Sequence, residues 1–176
     1  MRMFLDTKKL AVSGLLAAVS VVLMYLSSMI ETSSLFFIAA ASFCVGIVIQ
    51  KCNLIWGGCF YVASLLLNFF LAPNKMYCIT LAAMGLYILL TELLWKKIAD
   101  AEVMANRNAK LWIGKYVIFN LIYVPILLFM PNLFLAKDVS ETMFIVLWAA
   151  GQAGIFVFDY IYRYFQRRVK ETFKFL

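Results

Sequence analysis

Polar side chains recur at helical spacing in four apolar stretches of the chain, and hydrogen bonding is the chemistry they offer. Spacings of three, four and seven residues place side chains on one face of a helix. Because a polar group facing hydrocarbon is strongly destabilising, we expect each strip to face protein or water. The four strips are Gly57, Tyr61, Ser64 and Asn68; Tyr77, Thr80, Met84, Tyr87 and Thr91; Tyr116, Asn120 and Tyr123; and Trp148, Gln152, Asp159 and Arg163.

The depth of these strips allows two interpretations. At a rise of ~1.5 Å per residue, Gln152 lies ~14 Å below the predicted outer end of its helix, with Asn120 at a similar level. Asn68, Tyr77 and Trp148 lie nearer the outer surface. The strips then line a cavity that opens outward beneath the segments 73–76 and 131–141. Alternatively, Asn120 and Gln152 bond to each other and hold two helices together, worth ~0.6 kcal/mol on average. Pairing is the simpler explanation for either residue alone, whereas four strips at compatible depths favour a cavity.

Three ionisable residues, Glu92, Lys115 and Asp159, lie near the predicted inner ends of their helices. Glu92 can reach Lys96, and Asp159 can reach Arg163, each at a spacing of four residues. Ionisable residues inside a membrane are functional candidates, for example in a proton relay. Structural pairing and snorkelling to the inner interface explain them better, since no acidic residue lies at mid-membrane.

Signatures of catalysis and metal binding are missing from the sequence. It contains no HExxH, GxSxG, GxxxxGK[ST] or GxGxxG motif, and no histidine. The four cysteines form no CxxC pair and are expected to be small buried residues. No ring of charge or filter-like loop indicates a channel. We therefore expect no enzymatic activity, metal or cofactor, and solute movement only with energy from a partner.

The polar and ionisable residues lie within long apolar stretches of the chain. Of 176 residues, 65% are hydrophobic and 14% are charged, against ~45–50% apolar usage in soluble domains. The pattern predicts an all-α integral membrane protein, a single domain over residues 1–176 with six transmembrane helices in a compact bundle. A Pro-Asn turn within Leu71–Met76 joins the third and fourth helices with almost no loop. The spans are expected at about 10–30, 35–50, 54–72, 76–95, 111–130 and 143–165.

Basic residues give the expected topology. Of the 16 lysines and arginines, all but Lys75 and Lys137 fall on one side of the six spans, so both termini should be cytoplasmic. The net charge of +7 therefore does not indicate nucleic acid binding. The first span lacks a cleavage site and should be retained. Residues 166–176 are predicted to form a basic amphipathic cytoplasmic tail, either a helix on the anionic inner leaflet or a solvated helix end.

The first span carries small residues at helical spacing. Gly14 and Ala18 lie four residues apart with Ala17 beside them, after the segment Thr7-Lys8-Lys9-Leu10-Ala11. Small residues let two helices approach closely in lipid. With six spans in one short chain and no ATPase motif, this segment resembles the S components of energy-coupling factor (ECF) transporters, the vitamin-uptake systems of prokaryotes. Their first helix docks a coupling subunit through an AxxxA motif, whose positions are taken here by Gly14 and Ala18.

The resemblance implies a division of labour along the chain. Spans one to three would dock a transmembrane coupling subunit with its ATPase pair, through Gly14, Ala17 and Ala18. Spans four to six and the outer loops would bind a vitamin or related micronutrient, in the cytoplasmic membrane of a prokaryote. The implied substrate-binding residues are Tyr77, Tyr123 and Trp148, which would stack on the ligand, and Asn68, Lys75, Asn120 and Gln152, which would hydrogen-bond to it.

A second interpretation is a non-transporting six-helix scaffold, similar to the rod-shape-determining membrane proteins. Such a protein would hold its partners through the small face of the first span, the inner loop at 98–110 and the basic tail. The sequence carries no signature of a particular ligand, so both interpretations stay open at this point.

Overall fold

The computed structural model describes residues 2–99, 107–129 and 141–172. Each of its six helices is long and apolar enough to cross a membrane, and the described residues contain no strand. The prediction of an all-α membrane protein with six transmembrane helices is confirmed. The helices are α1 (Arg2–Met29), α2 (Ser34–Lys51), α3 (Leu54–Leu71), α4 (Lys75–Ala99), α5 (Arg107–Phe129) and α6 (Glu141–Thr172), with one 3₁₀ turn at Glu31–Ser33.

Several predicted features lie outside the described residues. They are most of the inner loop at 98–110, the outer loop from Pro131 to Val139 with Lys137, and the end of the tail from Phe173 to Leu176. The chain divides into two compact units, Met1–Glu102 with α1–α4 and Val103–Leu176 with α5 and α6.

Helix α2 is the centre of the first unit. It packs against α1, α3 and α4, and the larger part of its buried surface comes from one continuous stretch, Ala41–Gly46. Small side chains in this stretch allow close approach, which is how helices associate in lipid. Gly57 of α3 shows the same principle, because a Cβ at this position would overlap the side chain of Ile49. Close packing around α2 therefore defines this unit.

The predicted turn between α3 and α4 has three residues outside the helices. Ala72 is extended (φ −70°, ψ 133°), as expected for a residue before proline. The side chain of Asn74 accepts a hydrogen bond from the backbone N–H of Met76, at 3.0 Å. Lys75 reaches back and donates to the carbonyl of Phe69. The turn thus supplies partners for helix ends that would otherwise lack them.

The second unit is a pair of packed helices, α5 and α6. With 32 residues, α6 is ~48 Å long and exceeds the ~30 Å hydrocarbon core. Residues 166–172, the first part of the predicted tail, continue α6 without a break. Pro125 lies inside α5 near its end, where its missing N–H leaves the carbonyl of Leu121 without its usual helical donor.

Candidate functional site

Two of the predicted binding residues contact each other in the second unit. The Nε2 of Gln152 donates to Oδ1 of Asn120 at 2.8 Å, and Nδ2 of Asn120 donates to the carbonyl of Tyr116 at 2.9 Å. This is the interhelical pairing that the sequence analysis gave as the alternative to a cavity. The pair is incomplete, however, because Oε1 of Gln152 is buried and has no hydrogen-bond partner among the described residues.

Tyr123, another predicted binding residue, is held in place on the same helix pair. Its hydroxyl donates to the carbonyl of Leu147 at 2.8 Å, and its ring stacks on Phe119 with centroids 5.0 Å apart. Gly151 makes room for the ring, since a Cβ there would lie 2.5 Å from it. Trp148 differs, with 44% of its surface exposed. The structure thus brings Asn120, Tyr123 and Gln152 to one helix interface, with Trp148 on the neighbouring open surface.

A buried ionic cluster joins the same two helices nearer the ends predicted to be cytoplasmic. The Asp159 carboxylate is fully buried, and its Oδ1 lies 2.6 Å from Nζ of Lys115, whose side chain is 10% exposed. Nη2 of Arg163 lies 2.6 Å from Oδ2, an ion contact without hydrogen-bond alignment. The predicted pairing of Asp159 with Arg163 is confirmed. The pairing with Lys115 was missed, and that of Glu92 with Lys96 stays a prediction.

An aromatic ring lies beside this cluster. The ring centroid of Trp112 lies 5.5 Å from Nζ of Lys115 and 5.1 Å from Cζ of Arg163, within reach of a cation–π interaction. Phe156 contacts both Trp112 and Tyr116, with centroids 5.3 and 5.4 Å apart. One carboxylate therefore faces two cations, and the cluster has a formal charge of +1.

Asn68 is wholly buried in the first unit. Its Nδ2 donates to Oγ of Ser20 on α1 at 3.2 Å and to the carbonyl of Ser64 at 2.8 Å. Its Oδ1 is buried without a hydrogen-bond partner. Asn68 therefore ties α3 to α1. Ser20 was not predicted as its partner, because the first span was expected to contact other helices through small residues and not through polar side chains.

The other two predicted binding residues of the first unit lie at the start of α4. Lys75 is exposed, bonds to the Phe69 carbonyl and lies 5.0 Å from the centroid of the Phe69 ring. Tyr77 is half-buried and packs against the apolar core formed by Met24, Ile38, Ala41, Ala72, Cys78 and Leu81. Through these contacts Tyr77 takes part in core packing, and Lys75 supplies a hydrogen-bond donor at the end of α3.

The predicted partner-binding residues divide between two faces of α1. Gly14 and Ala18 are exposed, and no atom from another described part of the chain lies within 4 Å of the position of a Cβ on Gly14. Ala17 packs inward against the core of Cys44, Val45, Val48 and Phe60. Ser20 and Met24 are also buried, at 1% exposure each. Gly14 and Ala18 thus form an open small-residue face, and Ala17 is not part of it.

Comparison with known proteins assigns no family. No protein-family model, curated protein or solved structure matches the chain. Among the described residues, no three His, Cys, Asp or Glu side chains are grouped as metal ligands. What this pair of helices offers chemically is the orphaned amide oxygens of Gln152 and Gln166, aromatic surface and a cationic cluster.

Proposed function

We propose that this chain is a substrate-binding membrane subunit that takes up a vitamin or related micronutrient, energised by a partner ATPase module. The observation that carries the proposal is the buried, unpartnered Oε1 of Gln152. An unsatisfied buried acceptor is destabilising by about 1–3 kcal/mol. A ligand with an N–H or O–H group would remove that penalty on binding, so the orphaned oxygen marks a place where a polar molecule gains affinity.

Neighbouring groups suit a small aromatic or heterocyclic ligand. Trp148 precedes Gln152 by four residues and so lies on the same face of α6, with its ring partly exposed. The Tyr123 ring is fixed by its hydroxyl bond to Leu147. In this proposal Gln152 and Asn120 bind the polar edge of the ligand, while Trp148 and Tyr123 supply flat apolar surface.

The open face of α1 supports the second half of the proposal. Gly14 and Ala18 present backbone without bulky side chains, which is the surface a partner helix needs for close packing in lipid. Uptake requires such a partner because the chain carries no nucleotide-binding motif. We place the protein in the cytoplasmic membrane of a prokaryote, with the coupling subunit docked on this face.

Ligand binding is tested on purified protein by thermal unfolding with a panel of water-soluble vitamins and nucleobases, after untargeted mass spectrometry of co-purified molecules. A ligand at about 100 times its Kd stabilises by about 2.7 kcal/mol. Gln152→Met should weaken that binding about tenfold through loss of the acceptor. The control, Tyr61→Phe, removes another interhelical bond, to the Ala82 carbonyl at 2.9 Å, and should leave the affinity unchanged.

Partner docking is tested by co-purification with an ATPase pair and its coupling subunit. Gly14→Leu fills open space, so it should block docking without altering ligand affinity. Gly154→Leu is the matched control, since that position on α6 is equally open. Loss of both docking and ligand binding in Gly14→Leu would indicate misfolding and contradict the division of labour.

The scaffold interpretation remains the second candidate, and the direct bond between Asn120 and Gln152 favours it. On that interpretation the pair only holds α5 to α6, and the open face of α1 binds another membrane protein of an assembly. A complete panel without any thermal shift, together with unchanged partner binding in Gln152→Met, would select the scaffold over uptake.

A further inference from the structure

The outward surface of α6 changes character at Arg163. Before it, the exposed side chains are apolar or aromatic, among them Ile145, Val146, Phe156, Val157, Tyr160 and Ile161. After it, the exposed aromatic residues Tyr164 and Phe165 are followed by the exposed basic residues Arg167, Arg168 and Lys170. In a membrane protein this transition marks the level of the lipid headgroups, where basic residues meet anionic phosphates.

Arg163 is held in an unusual way at this level. Its guanidinium contacts the buried Asp159 carboxylate at 2.6 Å and lies 5.1 Å from the centroid of the Trp112 ring, while 47% of its side chain remains exposed. Lys115 already bonds to the same carboxylate at 2.6 Å. Since one negative charge faces two positive ones, Arg163 is oriented by Asp159 without being neutralised by it.

We propose that Arg163 binds the headgroup phosphate of an anionic phospholipid. A guanidinium has five N–H donors, which is more than the contact of Arg163 with one carboxylate oxygen of Asp159 can occupy. Orientation by Trp112 and Asp159 lowers the entropy lost on binding, and planar donors suit phosphate oxygens. Arg167 and Lys170, four and seven residues further along α6, add positive charge on the same side of the helix.

The test uses the full-length protein in detergent, with bound lipids counted by native mass spectrometry. Phosphatidylglycerol is titrated against phosphatidylcholine with identical acyl chains, and soluble glycerol 3-phosphate is the competitor that represents free phosphate. We expect preferential retention of phosphatidylglycerol, which glycerol 3-phosphate does not displace. Equal retention of both lipids, or displacement by the soluble phosphate, would overturn the proposal.

Substitutions at two positions, Arg163 and Arg168, separate a specific contact from general surface charge. Arg163→Gln should lower phosphatidylglycerol affinity about tenfold, and Arg163→Lys, which keeps the charge but not the planar donors, should lie between it and the native protein. Arg168→Gln removes an equal charge from a guanidinium that already contacts Tyr164 and Glu171. The loss of phosphatidylglycerol affinity in Arg168→Gln should stay below the about fivefold expected of one basic residue near an anionic surface.

Equal losses in Arg163→Gln and Arg168→Gln would show that only total charge matters. Should Arg163→Gln fail to fold, Arg163→Lys compared with Arg168→Lys gives the same decision.

Discussion

Replacing Lys115 with methionine isolates the buried ion pair that joins α5 to α6. Methionine keeps most of the lysine's apolar length, so the change removes the charge and its 2.6 Å bond to Asp159 without opening a large cavity. The carboxylate, which has no exposure of its own, then keeps Arg163 as its ion-pair partner within the described part of the chain. The variant therefore measures what an underpaired carboxylate does to this helix pair.

The expected loss of stability follows from the burial of both partners. Removing one member of a buried ion pair is destabilising by about 3–5 kcal/mol. Arg163 stays beside the carboxylate but is half-exposed, so solvent weakens its compensation. We therefore expect a loss near the lower end, about 3 kcal/mol. The double variant Lys115→Met with Asp159→Asn contains no unpaired carboxylate and should cost about 2–3 kcal/mol less than the sum of the single changes.

The measurement is equilibrium unfolding in mixed detergent micelles, with SDS as the denaturant and helicity followed by circular dichroism. Lys110→Met serves as the control, since Lys110 is an exposed cation on the same helix and its loss should change stability by less than about 0.5 kcal/mol. A loss below about 1 kcal/mol in Lys115→Met, or strict additivity in the double variant, would refute the buried-pair reasoning.

Two further predictions concern the first unit. Gly57→Ala should destabilise the protein by about 1–3 kcal/mol in the same unfolding assay, because the added Cβ overlaps Ile49. Gly58→Ala is the control and should be tolerated, because its Cβ meets only Leu89, at 3.8 Å. Equal effects of the two changes would contradict the close approach of α2 and α3. Burial raises the pKa of the Cys52 thiol, outweighing the lowering effect of the Lys9 charge, so maleimide labelling mapped by peptide mass spectrometry should rise about tenfold per pH unit from pH 7 to 9. A plateau below pH 8 would contradict this.

The six helices could be predicted because hydropathy and turn residues leave little choice. The helices extend beyond the predicted membrane spans. Helix α1 begins at Arg2, before the span predicted from about Leu10, and α6 continues to Thr172, beyond the span predicted to end near Phe165. Charged residues leave the hydrocarbon but are good helix formers, so the helix continues beyond the apolar span. Hydropathy indicates which residues lie within the hydrocarbon core, and it does not indicate where the helix itself begins and ends.

Contacts between helices could be predicted only for residues that lie at the same depth in the membrane. Asn120 and Gln152 were expected at one level, and they bond to each other. Lys115 lies five residues before Asn120 and Asp159 lies seven after Gln152, so antiparallel pairing carries both in the same direction along the helix pair. That signal was present in the sequence. It was missed because the contact from Asp159 to Arg163, four residues apart, already explained the carboxylate.

The short link between α3 and α4 bears on how the chain enters the bilayer. Asn74 and Lys75 supply hydrogen-bond partners to neighbouring backbone groups, so the tip carries few polar groups that need water. On the topology predicted from the basic residues, a hairpin of this kind can cross the membrane during biogenesis as one preformed piece, and its lysine needs to leave water only briefly. The proline that ends α3 thus also keeps the translocated segment short.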